Sequence, residues 1–95
     1  MDPRHPLRVL VVDDIRDAAD TLALLVRIWG HHPVVAYDGP AALDAARTHA
    51  PDVALLDIGL RGAMDGFEVA RRLRQPPGMD KALLVAVTAT GGKRT

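Results

Sequence analysis

Oxygen-bearing side chains follow three apolar runs of this sequence, at the point where each run ends. The runs, each with the residues that follow it, are 7–12 with Asp13 and Asp14, 53–56 with Asp57, and 83–87 with Thr88. If these runs form neighbouring parallel strands, their carboxyl ends meet at one edge of a sheet, where open α/β sheets bind ligands. The sequence therefore predicts a single site that contains several carboxylates and a hydroxyl.

Carboxylates crowded in this way favour a particular chemistry. Neighbouring carboxylates repel one another, which raises their pKa values unless a cation joins them. Mg²⁺ typically binds one or two carboxylates together with carbonyl, water and phosphate oxygens. A carboxylate beside such an ion can attack a phosphoryl donor, and a nearby hydroxyl can hydrogen-bond the phosphoryl oxygens. The pattern therefore indicates a magnesium site next to an acceptor carboxylate.

The elements that must position these residues alternate along the chain. The short Val- and Leu-rich runs 7–12, 33–37, 53–56 and 83–87 suit strands that are buried on both faces of a parallel sheet. Helical patterns at 17–29, 41–49 and 66–74 separate them. Right-handed crossovers then place helices on both faces of the sheet. The chain is therefore predicted to be one α/β domain, residues 1–95.

Several side chains within these elements are predicted to be structural. In the first helix, Leu25 and Trp29 belong to an apolar stripe that should face the core. His31 and His32 follow that helix, and we expect them in a solvated loop rather than in a metal site. Gly66 is expected to supply backbone freedom at the start of the third helix.

Composition excludes several classes of function. The chain has 95 residues and a formal net charge of +0, so it lacks the basic surface typical of nucleic-acid or membrane binding. It contains no Cys, which excludes disulfides and thiolate chemistry. No apolar run approaches the roughly 18 residues of a membrane span, and the first residues do not resemble a signal peptide. We expect a cytoplasmic protein.

The order of the motifs resembles the receiver domain of bacterial two-component response regulators. The matching stretches, which cover nearly the whole chain, are VLVVDDIRDAADTLALL, AYDGPAAL, PDVALLDIGL, MDGFEVARRLR and LLVAVTA. The resemblance implies the flavodoxin-like doubly wound parallel sheet, with strand order 2-1-3-4-5. It also implies that a histidine kinase or a phosphotransfer protein supplies the phosphoryl group.

The resemblance implies a role for each candidate site residue. Asp57 would be the phosphoacceptor and would also face the Mg²⁺. Asp14 would bind Mg²⁺ directly, while Asp13 would bind through water or support the ion. The backbone carbonyl of Gly59 would complete the protein's metal contacts. Thr88 would hydrogen-bond the phosphoryl group.

The chain departs from the family pattern at two places. Arg61 replaces the usual Pro, in a loop one residue longer than the commonest form. The family's fourth helix, fifth strand with its Lys, and fifth helix do not fit between Ala89 and Thr95. The resemblance is therefore to a C-terminally truncated receiver lacking the α4-β5-α5 segment. Such a fragment is expected to be poorly stable alone, to form a homodimer or domain swap through its fourth strand, or to be a piece of a longer protein.

The sequence favours a non-enzymatic signalling function: a two-component receiver that accepts a phosphoryl group on Asp57 in a Mg²⁺-dependent reaction. The first alternative is a phosphorylation-impaired interaction module that dimerises or sequesters a partner. The second is an aspartyl-phosphate phosphohydrolase. It is the least favoured, because such enzymes usually carry D-x-D on one strand, whereas here the acidic pair and Asp57 follow different strands.

Overall fold

The structure, a computed structural model, describes residues 5–62, 64–76 and 79–87. In this part of the chain, strands and helices alternate in the predicted order. The strands are β1 (Arg8–Val12), β2 (His32–Ala36), β3 (Val53–Asp57) and β4 (Leu83–Val87). The helices are α1 (Arg16–Ile28), α2 (Gly39–His49) and α3 (Gly66–Leu73), and a single 3-10 turn (Met79–Lys81) precedes β4.

The strands form one parallel sheet in the order β2-β1-β3-β4. Val12, the last residue of β1, pairs with Ala36 on one side and with Leu56 on the other. Asp57 pairs with Val87 at the end of β4. The carboxyl ends of the strands are therefore level, as the flavodoxin-like prediction requires, and the fold is confirmed. The predicted lack of α4, β5 and α5 concerns residues after Val87, which lie outside the described residues.

Two apolar clusters hold helices against the two faces of the sheet. Val9 and Val11 point to the face that α1 covers, where they join Ala19 and Val26. The alternate residues of the strands point to the opposite face, because side chains alternate along a strand. There they pack with α2 and α3 in a larger cluster: Leu10, Val12, Ala54, Leu56, Ala42, Ala46, Val69 and Leu73. The sheet is thus the middle of three layers.

The buried face of α1 differs from the prediction. Its buried residues are Ala19, Ala23 and Val26, whereas Leu25 is 39% exposed and Trp29 is 54% exposed. The predicted stripe also included Val26, which is buried, so the prediction was right for Val26 and wrong for Leu25 and Trp29. Ala19 and Ala23 are buried beside Val26, and their small side chains let the helix lie close to the sheet.

Aspartates begin two of the helices. The Oδ1 of Asp38 accepts a hydrogen bond from the backbone N–H of Ala41 at 2.8 Å, and α2 begins with Gly39 directly after it. The Oδ1 of Asp65 accepts from the N–H of Glu68 at 2.9 Å and caps α3. These bonds satisfy N–H groups that have no partner in the first turn of a helix. Asp65 therefore has a structural role at the start of α3.

His31 is buried rather than solvated. It is 4% exposed, and its Nδ1 accepts a hydrogen bond from the backbone N–H of Leu7 at 2.9 Å. The ring thereby joins the end of α1 to the chain just before β1. His32 is exposed and belongs to β2, whose first residue it is. The expectation of a solvated loop was wrong for His31, because the link from α1 to β2 is short and the ring is held by the backbone of Leu7.

Among the described residues, no helix is both long and apolar enough to span a membrane.

Candidate functional site

Three carboxylates converge at the carboxyl edge of the sheet. Each of Asp13, Asp14 and Asp57 offers one carboxylate oxygen, and these oxygens all lie within 4.8 Å of one another. The pairing of Val12 in β1 with Leu56 in β3 explains this, since Asp13 directly follows Val12 and Asp57 directly follows Leu56. The structure therefore brings together the predicted acidic residues.

Asp57 is the most buried member of the cluster. Its side chain is 5% exposed, and its Oδ1 accepts a hydrogen bond from the backbone N–H of Gly59 at 2.9 Å. Its Oδ2 is buried and has no hydrogen-bond partner among the described residues. The carboxylate is thus held in place through one oxygen, while the other remains available.

Asp14 also has a buried oxygen, Oδ1, with no hydrogen-bond partner among the described residues. Its Oδ2 lies 3.7 Å from the Nε of Arg61 in an ion pair at the solvent side of the cluster. Burying carboxylate oxygens without a donor is costly, and a coordinated cation removes that cost. The donor set, all carboxylate oxygens, is the kind that Mg²⁺ prefers. The residues therefore fit a divalent cation.

Asp13 is influenced by the crowding directly. Its Oδ1 accepts a hydrogen bond from the backbone N–H of Ile15 at 2.9 Å. Burial raises the pKa of Asp13 above its ordinary value of 3.8, and the bond from Ile15 opposes that rise. The charge of Asp57, the hydrogen bond that a protonated Asp13 would donate to Asp57, and the charge of Asp14 raise the pKa further. Burial and carboxylate crowding therefore act in the same direction on Asp13.

The loop after β3 is tied to Asp57 by its backbone. The Leu60 N–H donates to the carbonyl of Asp57 at 3.2 Å, and Leu60 itself is buried in the larger apolar cluster. The Ile58 N–H donates to the carbonyl of Val87 at 3.1 Å, so the sheet continues one step past Asp57. These contacts hold the backbone of Asp57 and the first residues of the loop that follows it.

The two remaining predicted site residues have different outcomes. Gly59 lies beside Asp57 and contacts it through its N–H, and the role of its carbonyl as a metal ligand stays a prediction. Thr88 directly follows β4 but lies outside the described residues. Its predicted hydrogen bond to the phosphoryl group therefore stays a prediction.

Sequence reasoning missed two contributions to the site. Arg61 was treated as a change in a turn, yet it contacts Asp14. Gly66 was expected to supply backbone freedom, but its importance is the close approach of α3 to the site. A Cβ at Gly66 would lie 2.8 Å from the carbonyl oxygen of Asp57 and 2.9 Å from that of Ile58. Its position directly after the Asp65 cap was the signal that the helix begins against the loop.

Comparison with known proteins identifies the family to which this fold and acidic cluster belong. Residues 9–95 match the family model of the response regulator receiver domain. The DNA-binding response regulator MtrA of Mycobacterium tuberculosis (strain ATCC 25618 / H37Rv) is 42% identical over 83 residues, which are 87% of this chain and 36% of that protein. The chain thus spans about a third of that relative's length.

Solved structures share the fold. The N-terminal domain of a response regulator receiver protein from Methanoculleus marisnigri JR1 is 31% identical, with a TM-score of 0.80 over 88% of this chain and 68% of that one. The receiver domain of sensor histidine kinase PA1611 from Pseudomonas aeruginosa PAO1, which has a magnesium ion in its active site cleft, is 22% identical. Its TM-score is 0.81 over 95% of this chain and 73% of that one. The sequence match and the fold together place this chain in the response regulator receiver family of two-component signalling.

Proposed function

We propose that residues 1–95 form a receiver domain that accepts a phosphoryl group on Asp57 in a Mg²⁺-dependent reaction. The observation that carries this proposal is the convergence of three carboxylates, two of which have a buried oxygen without a hydrogen-bond partner among the described residues. An isolated protein gains nothing from that arrangement, because it combines repulsion with desolvation. A site that binds a cation and then a phosphoryl group makes use of both.

The residues that would hold Mg²⁺ are Asp13, Asp14 and Asp57, together with the backbone carbonyl of Gly59. When bound, the ion neutralises charge on the transferring phosphoryl group. The PA1611 receiver carries magnesium in its active site cleft, which supports the same assignment for this chain.

Asp57 would act as the nucleophile. The hydrogen bond from Gly59 holds Oδ1 and thereby orients the carboxylate, and the surrounding burial limits access of water. In the transfer, a carboxylate oxygen forms the new P–O bond as the P–N bond of the donor's phosphohistidine breaks, and the departing imidazole nitrogen then takes up a proton. Thr88 would donate a hydrogen bond to the transferred phosphoryl group.

The proposed partner is a histidine kinase or a phosphotransfer protein. Next to the acidic cluster, α1 begins directly after Ile15, whose side chain is 45% exposed. Farther along the same helix, Leu24 is 56% exposed and Ile28 is 66% exposed. Exposed apolar residues of this size often mark a protein contact. We therefore assign the partner contact to α1, and place the reaction in the cytoplasm, where such kinases act.

The test is phosphorylation of the purified chain by a small acyl phosphate. Intact mass should show one added phosphoryl group with Mg²⁺ present and none after chelation. Asp57→Asn should abolish the addition, whereas Asp44→Asn, which alters an exposed carboxylate on α2, should not. The proposal fails if the folded chain binds Mg²⁺ and yet gains no phosphoryl group. That result would favour the alternative function, a phosphorylation-impaired interaction module.

A further inference from the structure

Arg61 places a positive charge at the entrance to the acidic cluster. Its Nε lies 3.7 Å from the Oδ2 of Asp14, and the Arg61 side chain is 80% exposed while that of Asp14 is 22% exposed. The guanidinium therefore lies on the solvent side of the cluster. Among the described residues, this is the only ion pair that any of the three clustered carboxylates forms.

The position of Arg61 is fixed by its neighbours in the chain. Leu60, immediately before it, is 3% exposed and packs in the larger apolar cluster. The Leu60 N–H also donates to the Asp57 carbonyl at 3.2 Å. Because Leu60 is anchored on both counts, the backbone of Arg61 stays close to the acidic cluster even though its side chain is solvated.

We propose that Arg61 acts as an internal counter-cation that competes with the divalent cation for Asp14; this inference rests on the proposed function. In the metal-free protein, the guanidinium partly neutralises Asp14. A divalent cation that coordinates Asp14 must displace this ion pair and must also bind near a remaining positive charge. Arg61 therefore raises the Mg²⁺ concentration at which the site fills.

The size of the effect of Arg61 on Mg²⁺ affinity follows from the solvent exposure of its ion pair with Asp14. Ion pairs in contact with solvent are weak, with typical strengths that correspond to about a two- to fivefold change in an equilibrium constant. Salt weakens them further, because the Debye length falls to about 3 Å at 1 M ionic strength. The competition should therefore be modest at low salt and should diminish as salt is added.

The experiment is a calorimetric titration of Mg²⁺ into the metal-free chain and three variants at low salt. Arg61→Gln removes the charge at similar length and should bind Mg²⁺ about two- to fivefold more tightly than the unaltered chain. Arg61→Lys keeps the charge and should stay near the unaltered affinity. Arg47→Gln is the matched control, since Arg47 also forms an exposed ion pair of 3.7 Å, with Asp44 on α2. It should leave the affinity unchanged.

High salt should narrow the difference between Arg61→Gln and the unaltered chain. The inference is overturned if Arg61→Gln binds Mg²⁺ equally or more weakly, or if Arg47→Gln gives the same gain. The proposed function fails by itself if the unaltered chain and Arg61→Gln both bind Mg²⁺ but Asp57 is not phosphorylated. Absence of Mg²⁺ binding in both proteins overturns both proposals.

Discussion

At the scale of single residues, the main feature is the repulsion among three acidic groups. Asp13 illustrates it best, since burial raises its pKa and the neighbouring Asp57 and Asp14 raise it further. A protein keeps such an arrangement only if something outside the chain compensates for it, because each charge destabilises the fold on its own. Repulsion in the metal-free protein and cation binding are therefore two consequences of one geometry.

Asp13→Asn should stabilise the metal-free chain and weaken its response to Mg²⁺. The amide oxygen can still accept the hydrogen bond from Ile15, so the change mainly removes charge. At pH 7 in a chelator, the free energy of unfolding should rise by up to about 1 kcal/mol, the upper range for partly exposed charge pairs. With millimolar Mg²⁺ the order should reverse. Urea unfolding under both conditions measures this, and a variant that is less stable in chelator would contradict the account.

At the scale of elements, the contact between α3 and the loop after β3 positions Asp57. Gly66 allows this contact because a side chain there would collide with backbone atoms of Asp57 and Ile58 at 2.8–3.0 Å. Backbone atoms cannot rotate away as the end of a flexible side chain can. The start of α3 and the loop after β3 must therefore shift together when this position is filled.

Gly66→Ala should destabilise the chain by about 1–3 kcal/mol, the usual range for overpacking. It should also shift the amide NMR signals of Asp57 and Ile58. Gly62→Ala provides the comparison: Gly62 has a φ of +117°, which strains any other residue, but a Cβ there meets nothing within 4 Å. That variant should lose stability while leaving both signals in place. Unchanged signals in Gly66→Ala would show that the approach is not close.

A cluster of charges on α3 links its stability to acid. Glu68 accepts hydrogen bonds from Arg71 and Arg72, and these lower its pKa below 4.5. Because the folded-state pKa is the lower one, the stabilisation is present above pH 4.5 and is lost as the pH falls through the folded value.

Glu68→Gln should therefore lower the melting temperature at pH 7, and this effect should shrink as the pH falls through the lowered folded-state pKa, because Glu68 then becomes protonated in both states. Thermal unfolding across this pH range measures the difference in melting temperature. Asp44→Asn, which breaks the exposed ion pair with Arg47, is the control. A difference in melting temperature between Glu68→Gln and the unaltered chain that does not narrow as the pH falls below 4.5 would contradict this assignment.

Local patterns were enough to predict the elements but not every face. The runs 53–56 and 83–87 predicted β3 and β4 within one residue, because buried parallel strands read as continuous apolar runs. The face of α1 was predicted only in part: Val26 is buried as expected, whereas Leu25 and Trp29 are exposed. Apolar residues lie on more than one side of that helix, and only packing against the sheet decides which side is buried. The burial of His31 likewise depends on Leu7, which lies 24 residues away in the chain.

At the scale of the whole molecule, sheet order turns separate sequence signals into one site. Asp13 and Asp57 are far apart in the chain, and the pairing of β1 with β3 brings them together. Parallel topology made this convergence predictable from sequence. The Arg61 contact was not predictable, because it depends on the path of a loop rather than on a repeating pattern.

The outer edge of β4 is the feature of the whole sheet most relevant to assembly. Among the described strands, β4 pairs only with β3, and Leu83 at its start is 59% exposed. An apolar edge strand can pair with a second copy of the chain.

Leu83→Lys should therefore reduce any self-association of the 95-residue chain, as measured by sedimentation across concentrations. Thr48→Lys, at an exposed position on α2, is the control. Equal association in Leu83→Lys and the unaltered chain would exclude β4 as the contact.

The most direct test of the account is to locate the phosphoryl group after reaction with an acyl phosphate and Mg²⁺. Borohydride reduction converts a phosphorylated aspartate into homoserine, and peptide mass mapping then identifies the modified residue. The account predicts homoserine at position 57 alone. Modification at Asp13 or Asp14 instead, or no modification in a folded chain that binds Mg²⁺, would contradict it.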